Sequence, residues 1–201
     1  MRSQVSLLSL LVVTVVISGA QSATFTFTNN CPFHSLARNP NRRWRCTTIH
    51  NWCSSDASGK FTCASGDCGS GQVACNGAGA IPPASLVELT LAANSGQDFY
   101  DVSLVDGFNV PIQLAPQGGS GECTATSCAG NINSVCPAEL VMKGRSTVAP
   151  GDHGTPETCP PTDYSKIFKS QCPQAYSYAY DDKSSTFTCN GGPNYLVTFC
   201  P

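Results

Sequence analysis

Thr24-Phe25-Thr26-Phe27-Thr28 alternates strictly between apolar and polar residues. That period of two predicts a strand with Phe25 and Phe27 on one face, ended by Asn29-Asn30-Cys31-Pro32. Ser85 to Leu91 alternates in the same way. It puts Val87, Leu89 and Leu91 inward, and Glu88 and Thr90 on the wetter face. Asp98 to Pro116 reads as two strands around the turn Asp106-Gly107-Phe108-Asn109, followed by a flexible turn from Gly118 to Gly121. Tyr195 to Cys200 is a last strand. Between these, Cys53 to Cys75 is Gly, Ser and Cys with short strand pieces, tightly looped. Phe33 to Asn51 has no period, and its basic, Pro-broken stretch Asn39 to Arg45 reads as an irregular loop. Cys123 to Pro173 carries little β pattern and two short candidate helices, Pro137–Met142 and Tyr164–Ser170. Strands spaced by Gly and Pro turns, with no internal repeat, point to a mainly β sandwich or flattened barrel.

Composition adds what holds such a fold together. The chain has 201 residues, of which 12% are charged and 41% hydrophobic. The charged share is about half of the usual ~25%. A formal charge of −2 without a basic stripe excludes an electrostatically driven nucleic-acid binder. Arg2 followed by the apolar run Leu7–Ile17 and the small residues of Ala20-Gln21-Ser22 reads as a signal peptide cleaved before Ala23. That run is too short for a stable membrane span. Residues 1–22 are therefore assigned to export, and the protein is expected to be secreted. An oxidising destination turns the 13 cysteines into disulfide candidates. No C-x-x-C pair occurs and only three histidines are present, His34, His50 and His153, so no metal and no cofactor is expected. Thirteen is odd, so at least one thiol lacks a partner within the chain.

One stretch is far more specific. Gly59-Lys60-Phe61-Thr62-Cys63-Ala64-Ser65-Gly66-Asp67-Cys68, then Gly71-Gln72-Val73-Ala74-Cys75, resembles the signature of the thaumatin-like proteins, with Ser65 where the family usually has Thr. The segments Asp101 to Pro111, Cys136-Pro137-Ala138-Glu139-Leu140, Cys172-Pro173, Ala175 to Tyr178 and Phe199-Cys200-Pro201 agree with it. The resemblance is closest to plant members. It implies a flattened antiparallel β-sandwich with a disulfide-rich loop region carrying short helices. On that basis a single domain spans 23–201, with its β core at 23–122 and 186–201 and the loop region at 123–185. The resemblance also implies the pairs Cys31–Cys200, Cys53–Cys63, Cys68–Cys75, Cys123–Cys189 and Cys128–Cys172. Cys46, Cys136 and Cys159 remain. The family usually has a longer stretch between Cys31 and Cys53, and further cysteines between Leu140 and Cys159. The partners of Cys136 and Cys159 are missing here, which leaves those two as candidates for a bond with each other.

Plant members of the family are defence proteins, and many carry an acidic cleft lined by one Arg and four carboxylates. Matching motifs place Glu88, Asp101, Asp106 and either Asp181 or Asp182 in it. The Arg belongs to the shortened region, and Arg45 does not align with it. Phe99, Tyr100 and Phe108 are candidates to stack on sugar faces. Clustered carboxylates raise one another's pKa, so one can remain an acid beside an ionised neighbour. Read singly, each acid is equally a solvent-facing strand or turn residue. Asp101 and Asp106 lie five apart and would sit on opposite faces of a regular strand, so both reach one cleft only if the turn at Asp106-Gly107 redirects the chain. The resemblance thus implies an antifungal, pathogenesis-related protein of the apoplast or cell wall. It would act as a monomer that binds β-1,3-glucan or a fungal wall or membrane surface. Two alternatives stand beside it. One is a weak endo-β-1,3-glucanase using Glu88 with Asp101 or Asp106, and the other is a shortened or mis-spliced member with little activity.

Overall fold

The computed structural model describes residues 23–32, 35–38, 47–75, 78–141 and 155–201. The export segment, Cys46 and the basic stretch with Arg45 lie outside these residues.

Strands dominate, as the alternation predicts. They are β1 (Phe25–Asn29), β2 (Ser35–Arg38), β3 (Thr47–Ser55), β4 (Phe61–Ser65), β5 (Leu86–Thr90), β6 (Gln97–Ser103), β7 (Ile112–Gln117), β8 (Thr126–Cys128), β9 (Phe187–Asn190) and β10 (Asn194–Phe199). A four-stranded sheet has the order β1-β10-β7-β8. A larger sheet runs β2-β3-β5-β6-β9, with β4 paired to β3. Neighbours pair antiparallel except β1 and β10, which run parallel. One apolar cluster draws on both sheets: Val87 and Leu89 of β5, Tyr100 and Val102 of β6, Ile112 and Leu114 of β7, Tyr195 and Val197 of β10. The mainly β, two-layer architecture is therefore observed.

Two sequence expectations are corrected. The supposed irregular stretch from Phe33 to Asn51 contributes β2 and much of β3. Neither alternates, so hydrophobic periodicity does not reveal them; β2 is a strand through its pairing with β3, and β3 through its pairing with β2, β4 and β5. Pro137–Met142 is a turn over its described part, closed by Leu140 N–H donating to Pro137 O at 2.8 Å, and the nearest helical turn is the 3-10 segment Ile132–Ser134. The helix at Tyr164–Ser170 is real: α1 spans Asp163–Gln171, capped by the Thr162 hydroxyl accepting from Ser165 N–H. A short second helix, α2 (Asp182–Ser185), carries no apolar stripe and so is not legible from periodicity.

All five disulfides implied by the resemblance are present. Cys31–Cys200 ties the end of β1 to the end of β10 across 169 positions of sequence. Cys53–Cys63 lies directly across the β3–β4 pair. Cys136 and Cys159 are both free thiols, so the bond considered between them is not formed. The signature aspartate has a structural task. Asp67 accepts hydrogen bonds from Cys63 N–H at 2.6 Å and Gly69 N–H at 2.5 Å, holding the loop that carries Cys68.

Candidate functional site

The site forms on the wet face of the β5–β6 pair. Glu88 and Asp101 are direct cross-strand partners, because β5 and β6 pair in register from Leu86↔Ser103 to Thr90↔Phe99. Two carboxyls on adjacent strands and the same face stand about 5 Å apart at Cβ. Asp106 joins them because the chain turns. β6 ends at Ser103, Gly107 N–H donates to Leu104 O at 2.9 Å, and Ala84 N–H donates to Asp106 O at 2.9 Å. The turn needs Gly107, whose φ is +97° and where a Cβ would come within 2.8 Å of Pro83 Cβ. After the turn the chain crosses to the other sheet as β7, which pairs with β10 rather than with β6. The required change of direction is thus built into the crossover.

Asp182, at the start of α2, supplies the fourth carboxylate. Together the four line an open cavity of about 560 Å3, with Phe99, Ser103 and Tyr176 also on its wall. Among the described residues lining it there is no Lys or Arg. The electrostatics follow from burial and like charge. Burial, then Glu88 and Asp182, push the Asp101 carboxyl up to about 8. Its Oδ2 is buried with no hydrogen-bond partner among the described residues. Glu88 is raised by burial and by Asp106, against a hydrogen bond from Ser103. Asp106 is raised by burial. The cleft therefore holds Asp101 as a neutral carboxylic acid at neutral pH, beside Glu88 and Asp106, whose carboxyls are also raised. A neutral acid donates a hydrogen bond and a carboxylate accepts one, so the face presents both capacities.

Three candidates do not belong to this surface. Asp181 is 8% exposed and bonded to Lys169 at 2.9 Å. Burial raises its pKa, but the Lys169 ammonium and the Ser177 donors outweigh that and hold it below the ordinary carboxylate range. It anchors α1 to the α2 turn, and Asp182 is the residue that reaches the cleft. Tyr100 is 1% exposed, packed edge-on against Tyr195, with its hydroxyl donating to Thr124 O at 2.6 Å. Phe108 is 7% exposed, within the core cluster. Neither can stack on a sugar. Phe99 alternates with Tyr100 along β6, so it points the other way and is 46% exposed at the cleft. Tyr176 was missed as a site residue. Its hydroxyl donates to Asp182 Oδ1 at 2.8 Å and fixes that carboxylate. The only signal was its place in the shared segment Ala175 to Tyr178.

A two-sheet, disulfide-stapled fold with an acidic cleft between its larger sheet and a helical loop region defines a class of protein, and comparison with known proteins agrees. The thaumatin family model matches residues 18–201. The chain belongs to the thaumatin family. Thaumatin-like protein 1 of Pyrus pyrifolia is 56% identical over 229 aligned positions, covering 92% of this chain and 93% of that one. A protein of Prunus avium named glucan endo-1,3-beta-glucosidase is 48% identical, covering 100% of both chains. That alignment runs over 244 positions against 201 residues here, so this chain is shortened relative to it. Among solved structures, the thaumatin-like xylanase inhibitor TLXI superposes with a TM-score of 0.48 at 19% identity, over 89% of this chain and 100% of that chain.

Proposed function

We propose that the protein is a secreted plant defence protein, acting as a monomer, that binds β-1,3-glucan or a fungal surface through its acidic cleft. The observation that carries this reading is the convergence of Glu88, Asp101, Asp106 and Asp182 on one cavity beside the exposed ring of Phe99. Sugar hydroxyls donate to the ionised carboxylates, the neutral Asp101 donates to a sugar oxygen, and Phe99 covers an apolar sugar face. Repulsion among the cleft carboxylates favours a ligand that supplies hydrogen-bond donors. Five disulfides suit an oxidising extracellular space, consistent with removal of residues 1–22 on export.

The test is retention of the mature chain on insoluble β-1,3-glucan. Retention above an albumin control that drops with Asp101→Ala is the expected result. Equal recovery of both proteins in the wash contradicts the reading.

A second reading is favoured by one specific feature. A neutral Asp101 directly across from Glu88 is the acid-plus-carboxylate pair that glycoside hydrolysis requires. The Prunus avium relative carries the name of such an enzyme. Under that reading Asp101 protonates the leaving oxygen, and Glu88 or Asp106 acts as the base or nucleophile. Release of reducing sugar from a β-1,3-glucan that Glu88→Ala abolishes is the result it expects.

A further inference from the structure

A second cavity, of about 440 Å3, backs onto the cleft and shares Val105, Asp106 and Ala179 with it. Its wall is built from Pro82, Pro83, Leu104, Leu140, Phe168 and Tyr178. Three of the hydroxyls on that wall already donate elsewhere. The Ser165 hydroxyl donates to Thr162 O at 2.9 Å, and the Ser177 hydroxyl to Asp181 Oδ2 at 3.0 Å. The Tyr164 hydroxyl donates to Glu139 Oε1 at 2.9 Å, clamping the Glu139 turn to α1. An occupant would find apolar contact and few free hydrogen-bonding groups. Its two acidic side chains, Asp106 and Glu139, disfavour an anion. The volume lies in the range of small-molecule sites, roughly 300–1,000 Å3.

Cys136 and Cys159 both face this cavity, and both are free, half-buried thiols in a chain whose ten other described cysteines are bonded. They are therefore two reporters placed on one wall.

We propose that this cavity is a second ligand site, separate from the acidic cleft, which takes a neutral, apolar small molecule of two or three rings. It does not depend on glucan binding. The chemistry of the wall selects the ligand: apolar area supplies the affinity, and the acidic pair rejects negatively charged analogues of similar size.

The experiment uses the mature full chain and two fluorescent probes, neutral N-phenyl-1-naphthylamine and anionic anilinonaphthalene sulfonate. The neutral probe is expected to brighten and the anionic one to remain dim. In parallel, Cys136 and Cys159 are labelled with N-ethylmaleimide at alkaline pH, because burial and Glu139 push the Cys136 thiol up and slow its reaction at neutral pH. At a neutral-probe concentration about ten times its Kd, labelling of both thiols slows about tenfold, since only the empty fraction reacts. A soluble β-1,3-glucan oligomer leaves the neutral probe bound. Leu140→Trp, which fills the cavity from a half-buried position, removes the fluorescence. Brightening without thiol protection places the probe elsewhere and overturns the proposal, as do absence of brightening, equal binding of the anionic probe, or displacement of the neutral probe by the oligomer. The thiol readout on the unaltered protein keeps the test decisive if Leu140→Trp does not fold. Loss of glucan binding alone leaves this result untouched.

Discussion

β1 and β5 carry the same kind of sequence and meet opposite fates. Phe25–Asn29 and Leu86–Thr90 are both five-residue strands, each with an alternating stretch. β5 lies inside the larger sheet, between β3 and β6, and buries Leu86, Val87 and Leu89. β1 is the edge of its sheet, pairs only with β10, and leaves four of its five residues exposed, with Phe27 at 41%. Alternation specifies a strand and its two faces. It does not specify whether a second layer covers the apolar face. What holds β1 is its parallel ladder, the stacking of Phe25 on Tyr195 and Phe27 on Phe199, and the covalent link from Cys31 to Cys200. One strand is fixed by burial and the other by a cross-link.

The largest effect separating the two should come from the cross-link. Replacing Cys31 and Cys200 by Ser together is expected to cost on the order of 4–5 kcal/mol, given the length of the closed loop. Chemical denaturation measures it, and hydrogen exchange should show β1 losing protection first. A smaller contrast follows from burial. Leu89→Ala in β5 is expected to cost about 2–5 kcal/mol, whereas Phe27→Ala in β1 should cost no more than about 1 kcal/mol. Equal costs would mean that the face of β1 is covered in solution. Next is the bond that joins the sheets. Tyr195 of β10 donates to Asp98 Oδ2 of β6 at 2.8 Å, and both residues are buried. Tyr195→Phe leaves that carboxylate oxygen without its donor and should cost about 1–3 kcal/mol.

The last effect is a slope with pH. Burial, then Glu88 and Asp182, push the folded Asp101 carboxyl up to about 8 from its ordinary value of 3.8. The folded state therefore binds the proton more tightly than the unfolded state. Its contribution is fully present below the unfolded value and is lost as pH rises through the folded one, so stability falls between about pH 4 and pH 8. Asp101→Asn should flatten that fall, as read from melting temperatures across the range.

Legibility followed the same division. The alternation at Ser85–Leu91 gave the strand and the side of Glu88 because the buried face is apolar. The partner of Glu88, Asp101, came from matching family motifs; register is a tertiary property that no local pattern states. Tyr100 and Phe99 show the limit at one-residue scale. They differ by one position, so only one faces the cleft, and the choice depends on which face the core takes. Asp181 and Asp182 show it again, since Lys169, twelve residues earlier, decides which of the two is withdrawn into an ion pair. β2 and most of β3 were not legible because their polar and apolar residues do not alternate, and their identity as strands rests on pairing with other strands. The five disulfides were legible through family resemblance, since spacing alone leaves many pairings open.

The proposed function requires a neutral Asp101 among ionisable carboxylates and binding of β-1,3-glucan by that set. Carboxyl-carbon NMR titration of Asp101, with and without a soluble β-1,3-glucan oligomer, tests it directly. The expected result is a midpoint near 8 in the free protein that moves when the oligomer is added. A midpoint in the ordinary aspartate range, unmoved by the oligomer, would contradict it.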